Sequence, residues 1–540
     1  MKKSLLFFAA ALACSACDFP DAIPLVFGTN TTALYISNGD TEGSYILSGN
    51  ITLASSYNWN MQNSAPDYIT IGSNNQGSGG AHFFRPQLTD ALKALLAEPD
   101  KHFTQVAGSG YLIAQLRFSA PSYAGGSCSV NIYYSPFIRF ISTKEELAAI
   151  NNDEKSLSRH YKLMADIDLK GKEWMPIGSA EEGKHFTGSF DGNGHRISNL
   201  KISLPDRHAG LFGWIEIEGD DDIIVVQNLQ LVNVEIEAKY AGAVAGYLHG
   251  IIRGCSVTGT GNIIGGGHTA GGIVGQCGGS GSIQNCSATA TVSATGNAGG
   301  IVGGAGTHSI LNCYAAGAVH VTGTQGQWAD AGGIAGVSNN HCHILNCYAT
   351  ATVSATGYHC HVGGILGHSA QSTIQNCYAT GAVSADRSSE AYVGGITGYS
   401  SQNIIQNCYA TGAVSADGSS AAYAGGITGY SSSSSIQDCV TLNSNISSSS
   451  DNLHRVVGDR TSGTLNYNYG WEGMWKNGGT PTWTSHLTGE DGENIGTSKY
   501  KSESWWNSIS GIWTSVWGGT DDNYPWVWDS ANSRPKLYWQ

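Results

Sequence analysis

The stretch "STIQNCYATGAVSA" (residues 372–385) returns almost unchanged as "NIIQNCYATGAVSA" (403–416). Close variants stand at "HSILNCYAAGAVHV" (308–321) and "HCHILNCYATATVSA" (341–355). A "GGI-x-G" sequence recurs alongside them, at 271–275, 299–303, 332–336, 363–367, 394–398 and 425–429. Each is followed by "I-x-N-C" or a near match ending in Cys286, Cys313, Cys347, Cys377, Cys408 or Cys439; the last three intervals are 30, 31 and 31 residues. A fixed period near 31 marks a repeat architecture, in which each unit buries its apolar face only against its neighbours. A weaker copy puts Cys255 in the same column. Half-units at "RISNLKI" (196–202), "AGLFG" (209–213) and "VQNLQL" (226–231) lead back to an expected start near residue 185.

Within "CYATGAVS" (377–384), strand alternation places Cys377, Ala379, Gly381 and Val383 on one face and Tyr378, Thr380, Ala382 and Ser384 on the other. The first set is small and apolar, which suits a narrow interior. Ile374 lies three residues before Cys377, so strict alternation cannot bury both. A bend is expected between them at Asn376, a residue type that tolerates left-handed conformations. The paired glycines of "VGGITG" fit a second turn or a close backbone approach. No helix pattern fits within 240–450. The reading is a mostly β protein built on a parallel β-solenoid of about 30-residue coils, stacked about 4.8 Å apart.

The repeated cysteine admits three readings: a disulfide ladder, a ligand set or a packing column. Side chains stacked in register point in parallel, the wrong Cβ geometry for a low-strain bridge. The same position holds Leu200 in "ISNL" and Leu229 in "VQNL". A column that accepts Leu or Cys is an apolar one, with Cys acting as a small hydrophobe. Cys342 and Cys360 stand apart, in the triplets His341–Cys342–His343 and His359–Cys360–His361. Metal ligation or a disulfide stays open for them beside the blander expectation that they fall in turns, so no metal site is assigned.

Only 13% of residues are charged, Gly reaches 73 of 540, and the formal charge is −14. The 41% apolar content excludes a disordered chain, and no basic stripe serves nucleic acid. "MKKSLLFFAAALACSACDFP" (1–20) has two lysines, a short apolar run and small residues before Cys17, the pattern of a lipoprotein-type signal peptide over 1–17. Cys17 is the expected lipidation site, with Cys14 the second candidate and plain secretion the alternative. Residues 18–137 read as a β-rich domain, with strands at 111–118 and 130–134 and a helix at 87–98. Residues 138–240 form a lead-in module with a short helix capped by Ser142 and Glu145, and a hairpin is expected through Asp191–Gly194. The repeats proper occupy 241–449. Residues 450–540, with ten tryptophans between Trp471 and Trp539, are expected to cap the open end.

"YKLMADIDL", "WMPIG" and "FTGSFDGNGHRISNL", followed by "GGI-x-G" and "I-x-N-C-Y-A-T-G-x-V-S", resemble the GLUG-repeat proteins of bacterial surfaces, from about residue 140 to the end. That resemblance implies an adhesin-like lipoprotein. Related repeats also occur in IgA-specific metallopeptidases, whose H-E-x-x-H zinc motif is missing here. Nor is there a G-x-S-x-G elbow or a phosphate loop. The charged residues of 241–450 are only Arg253, Asp330, Asp386, Arg387, Glu390, Asp417 and Asp438, and "EIEGDDD" (216–222) lacks the spaced oxygens of a Ca²⁺ loop.

The leading expectation is therefore a non-enzymatic surface lipoprotein, a monomer without cofactors, at the outer membrane or cell surface. It would present the solenoid to an extracellular ligand, a glycan or a host or matrix protein. The alternative is a surface carbohydrate-active or other hydrolase with its site outside the repeats. The expected ligand contacts are Tyr314, Tyr348, Tyr378 and Tyr409, an outward ladder flanked by the hydroxyls of Thr350, Thr380, Thr411, Ser354, Ser384 and Ser415. Mutual stacking that merely stiffens the sheet is the competing reading.

Overall fold

A computed structural model describes discontinuous stretches between residues 31 and 135, then residues 138–540 apart from 180–182, 217–224, 280, 325, 339–340, 481, 510–512, 514–515, 519–521 and 523–524. Cys14 and Cys17 lie outside the described residues, as does the acidic stretch beyond Glu216 up to Asp222. The chain divides into a unit of residues 1–147 with 159–165 and a unit of 148–158 with 166–540.

The first unit contains a sheet ordered Tyr45–Ser48, Thr31–Asn38, Ser127–Ser135, Gly110–Ser119 and Asn60–Gln62. The two long strands expected at 111–118 and 130–134 are its antiparallel centre. The expected helix is Asp90–Leu96, which buries Leu92 and Leu96 four residues apart. A second helix, Lys144–Ala148, starts one residue later than its reading. Thr143 Oγ1 accepts from Glu146 N at 3.2 Å, while Glu146 Oε2 accepts from Thr143 N at 3.1 Å and Ser142 N at 2.7 Å. The capping box is thus Thr143/Glu146, not Ser142/Glu145.

The second unit is the parallel β-solenoid. Three sheets run along it. The first stacks the "I-x-N" strands from Ser189–Asp191 to Gly463–Asn466. The second has nine strands, from Phe212–Ile215 to Val457–Arg460. The third holds 24 short and long strands, including every "YA" and "VSA" segment. Pairing is in register from coil to coil: Ile374 lies beside Ile344 and Ile405, Val383 beside Val353 and Val414. The interior is made of such columns, and Ile283, Ile310, Ile344, Ile374, Ile405 and Ile436 are all fully buried.

The bend at Asn376 is present, with φ 56°, and the same left-handed corner recurs at Asn285, Asn312, Asn346 and Asn407. Where the sequence lacks Asn, the corner is Gly254 (φ 61°) or Asp438 (φ 56°), the residue types that accept this region at least cost. The corner lets both Ile374 and Cys377 point inward. Side-chain amides then extend the ladder: Asn376 Nδ2 donates to Asn346 Oδ1 at 3.0 Å and Asn407 Nδ2 to Asn376 Oδ1 at 3.2 Å. The glycine pair serves close approach. A Cβ on Gly272 would collide with the Gly300 carbonyl of the next coil, and one on Gly275 with the Gly246 carbonyl.

Three expectations about the flanks are corrected. Asp191–Gly194 is not a hairpin: Ser189–Asp191 belongs to the first sheet and Arg196–Ala209 to the third, so the turn is a coil corner, with Asn193 at φ 52°. Solenoid pairing begins before residue 185, since Ile167–Asp168 already pairs in parallel with Arg196–Ala209. It also continues beyond 449, through Tyr469–Trp471 and Glu493–Ile495. Buried Arg455 pins that last coil, donating to Gly470 O at 2.8 Å, Asn494 Oδ1 at 2.6 Å, Gly492 O at 3.2 Å and Thr484 O at 3.3 Å. The tryptophan-rich segment does not sit only at the end. It folds back along the side of the third sheet, burying Trp506, Trp513 and Trp526 against Tyr378, Tyr409, Val440 and Tyr469.

Candidate functional site

The tyrosine ladder exists in register. Ring centroids are 4.3 Å apart for Tyr314–Tyr348, 5.0 Å for Tyr348–Tyr378 and 4.8 Å for Tyr378–Tyr409. Its accessibility differs from the expectation. Tyr409 is 1% and Tyr378 7% exposed, because the folded-back segment covers them. Trp526 packs on both rings, the Tyr409 hydroxyl donates to Pro535 O at 2.6 Å, and Gln540 meets the Tyr378 hydroxyl. Burial pushes both phenols well above their ordinary pKa. Only Tyr314 and Tyr348 remain half-buried and within reach of a ligand, and Tyr348 also leans on Trp539. Asp522 closes this margin, accepting from Asn312 Nδ2 at 2.8 Å through its carboxylate and from Asn346 Nδ2 at 3.2 Å through its carbonyl.

A second aromatic surface arises where the third and second sheets meet across each "GGI-x-G" turn. The glycines bring the two strands so close that their outward side chains touch across the corner. One column runs His208, Tyr240, Thr269, Asn297, Asp330, His361, Tyr392, Tyr423. The facing column runs Trp214, Tyr247, Gln276, Gly304, Val337, His368, Tyr399, Tyr430. At one end Trp214 and Tyr247 stack at 3.7 Å and His208 stacks on Tyr240 at 4.4 Å. At the other, Tyr392 and Tyr423 stack at 4.9 Å and Tyr399 and Tyr430 at 5.3 Å.

Between the aromatic ends of the facing column a groove of about 330 Å³ opens on the second-sheet side, lined by Gln276, Gly279, Gly304, Ala305, Gly306, Thr307 and Val337, with no residue of the first column among them. Its size falls in the range of small-ligand sites. In the coils before the groove, the Trp214 indole N–H donates to Glu216 Oε2 at 2.7 Å, and His249 Nδ1 lies 2.7 Å from Glu216 Oε1. Outside the groove lining, in the neighbouring coils, His361 Nδ1 is 2.7 Å from Asp330 Oδ1 and His368 Nδ1 is 3.7 Å from Asp330 Oδ2. Burial would raise the Asp330 pKa, but the His361 and His368 contacts outweigh it and hold the carboxyl below its usual range. Burial lowers the His361 pKa more than the Asp330 contact raises it. Nearby, His359 Nδ1 sits 3.0 Å from Glu390 Oε2, which also accepts from the Tyr392 hydroxyl at 3.1 Å.

The packing cysteines behave as the Leu200 and Leu229 comparison implies. Cys255, Cys286, Cys313, Cys347, Cys377, Cys408 and Cys439 are buried and free, as Leu200 and Leu229 are buried. Each thiol lies close to the carbonyl two residues back, as for Cys377 Sγ donating to Gln375 O at 3.2 Å. Burial pushes the thiols of Cys255, Cys347 and Cys439 well above their ordinary pKa. Cys342 and Cys360 are also buried and free, raised to about 12 and about 11. Only the first triplet falls at a turn, with His341 at φ 64°; the second lies in the strand His359–Gly363. Sequence reasoning missed the groove and the Asp330–His361–His368 cluster. The period offered a signal for both: Asp330 and His361 are 31 residues apart, and the facing pairs 240/247, 361/368, 392/399 and 423/430 share a spacing of seven.

These features define a repeat-built β-solenoid with stacked aromatic columns on two adjoining sheets and a small groove between the aromatic ends of one of them. The family model described as the GLUG motif matches residues 358–384 and 389–415, so the chain carries GLUG repeats. A curated relative, Halomucin of Haloquadratum walsbyi (strain DSM 16790 / HBSQ001), is 34% identical over 147 residues, 25% of this chain; the chain spans 2% of that relative's length. Two solved structures are similar at low identity. One is described as a candidate immunoglobulin A1 protease from Bacteroides ovatus, at 20% identity, covering 74% of this chain and 92% of its own, with a TM-score of 0.32. The other is an IgA1 protease, at 14% identity, covering 72% of this chain and 26% of its own, with a TM-score of 0.32. Among the described residues no helix is long and apolar enough to cross a membrane.

Proposed function

We propose that this is a non-enzymatic surface protein that binds an extracellular glycan along the corner groove. The observation that carries the reading is the groove itself, small residues flanked at both ends by half-buried stacked aromatics. Sugar rings present C–H faces that stack on Trp and Tyr, while their hydroxyls exchange hydrogen bonds with groups such as Gln276, Thr307 and Glu216. A non-catalytic role is supported by the state of the local carboxylates. Asp330 is engaged by His361 and His368, and Glu390 by His359 and Tyr392. A host or matrix glycoprotein presenting such a glycan is a partner of the same class. The N-terminal signal supports export and anchoring of a monomer through Cys17 at the outer membrane or cell surface.

The test is a glycan array with the full chain, followed by titration calorimetry on the best hit. Trp214→Ala combined with Tyr247→Ala should weaken binding at least tenfold, and the glycan should be recovered uncleaved. Cleavage, or affinity unchanged by the double substitution, would refute the reading. Cys17→Ser should release the protein from detergent-partitioned membranes; retention would refute the anchor.

A further inference from the structure

We infer that Asp330, His361 and His368 form a binding site for one divalent transition-metal ion of the zinc class, in the coil next to the groove. One ligand atom from each residue lies within 4.8 Å of the other two. Two ligands on a tetrahedral ion with bonds of about 2.0–2.1 Å stand roughly 3.3 Å apart. The present separations, 2.7 Å from Asp330 Oδ1 to His361 Nδ1 and 3.7 Å from Asp330 Oδ2 to His368 Nδ1, bracket that value, so side-chain adjustment would gather one carboxylate oxygen and both imidazoles around one ion.

Burial gives a second, independent observation. Asp330 is 3% and His361 2% exposed, and burying a carboxylate beside an imidazole is costly unless each polar atom is satisfied. His361 Nδ1 faces Asp330, while Nε2, on the other side of the ring, has no hydrogen-bond partner among the described residues. An ion would take Nδ1 in place of the Asp330 hydrogen bond, and what favours it is a buried carboxylate set between two imidazoles. Elsewhere in the same column stand neutral or aromatic residues, Thr269, Asn297, Tyr392 and Tyr423, so the coil geometry does not demand charge here.

The donor set selects the ion. Two imidazoles and one carboxylate suit Zn²⁺, Co²⁺ or Ni²⁺, whereas Ca²⁺ and Mg²⁺ require more oxygens. Three protein ligands leave a fourth position open. His368 is half-buried on the groove side, and its register neighbour Val337 lines the cavity. Trp328 stacks on His361 at 4.7 Å and fixes the ring plane.

The experiment is a Co²⁺ titration of chelator-treated full chain, followed by visible absorption and competed with Zn²⁺. One equivalent should give the intense bands of a four-coordinate site, and Zn²⁺ should abolish them. His368→Gln, at a half-buried position that leaves folding intact, should raise the metal Kd at least tenfold, as should Asp330→Asn. His195→Gln, which alters a separate pair with Asp166, should leave it unchanged. Absence of the bands at millimolar Co²⁺, or bands that survive His368→Gln at unchanged affinity, would overturn the assignment.

Discussion

Replacing His308 by serine should remove an acid-sensitive weak point from the solenoid. His308 is fully buried just before the first-sheet strand Ser309–Leu311, and neither ring nitrogen has a hydrogen-bond partner among the described residues. Register places it in a column with Gly281, Cys342, Ser372, Asn403 and Ser434, so serine is a residue the column already accepts. Burial, with a smaller push from His249, lowers its pKa from 6.5 to about 4. Above pH 6.5 the ring is neutral in folded and unfolded chains alike, and pH has no effect through it. Between 6.5 and 4 the unfolded chain binds a proton that the folded one refuses, so stability falls with pH. At pH 4.5 the loss is about 2.5 kcal/mol. Coils contact mainly their neighbours, so the effect is local and is best read by hydrogen exchange of amides in 305–322. Corrected for intrinsic rates, opening should rise roughly 70-fold more between pH 7.5 and 4.5 in the native chain than in His308→Ser. Equal pH dependence in the two proteins would refute the argument that an unsatisfied neutral imidazole is buried there.

Arg455→Met should cost the last coil at least about 3 kcal/mol, because four acceptors lose a buried cationic donor; limited proteolysis within 453–495 should accelerate, and unchanged resistance would contradict this. Trp526→Ala should cost about 3–5 kcal/mol and uncover Tyr378 and Tyr409 to radical labelling; if both tyrosines stay protected, the segment does not cover them. The column cysteines from Cys255 to Cys439 should resist alkylation in native protein and react after denaturation without reductant. Finding them already bridged by mass mapping would overturn the packing account.

Much of the solenoid was legible from local rules. Ile374 and Cys377 could not both face inward without a break, and Asn376 supplied a residue type able to make one. Leu200 and Leu229 revealed what the cysteine column is for. The rest depends on contacts that local periodicity does not encode. Alternation assigns faces within one strand, but the groove comes from two strands pressed together over glycines, which joins His361 to His368 and Tyr392 to Tyr399. The covering of Tyr378 and Tyr409 depends on a segment more than a hundred residues away in sequence, as the 126-residue separation of Tyr409 and Pro535 shows. A tryptophan-rich tail announces a large apolar payload without saying whether it lands on an end or a side.

Hydroxyl-radical footprinting of the full chain, with and without the glycan selected on the array, tests the groove most directly. The account predicts ligand protection at the aromatics that flank the groove in its own column, Trp214, Tyr247 and Tyr399, while Tyr467 and Trp475, which are 46% and 55% exposed, keep their labelling rates. Protection confined to Tyr314 and Tyr348, or to residues 31–135, with the groove residues unchanged, would contradict it.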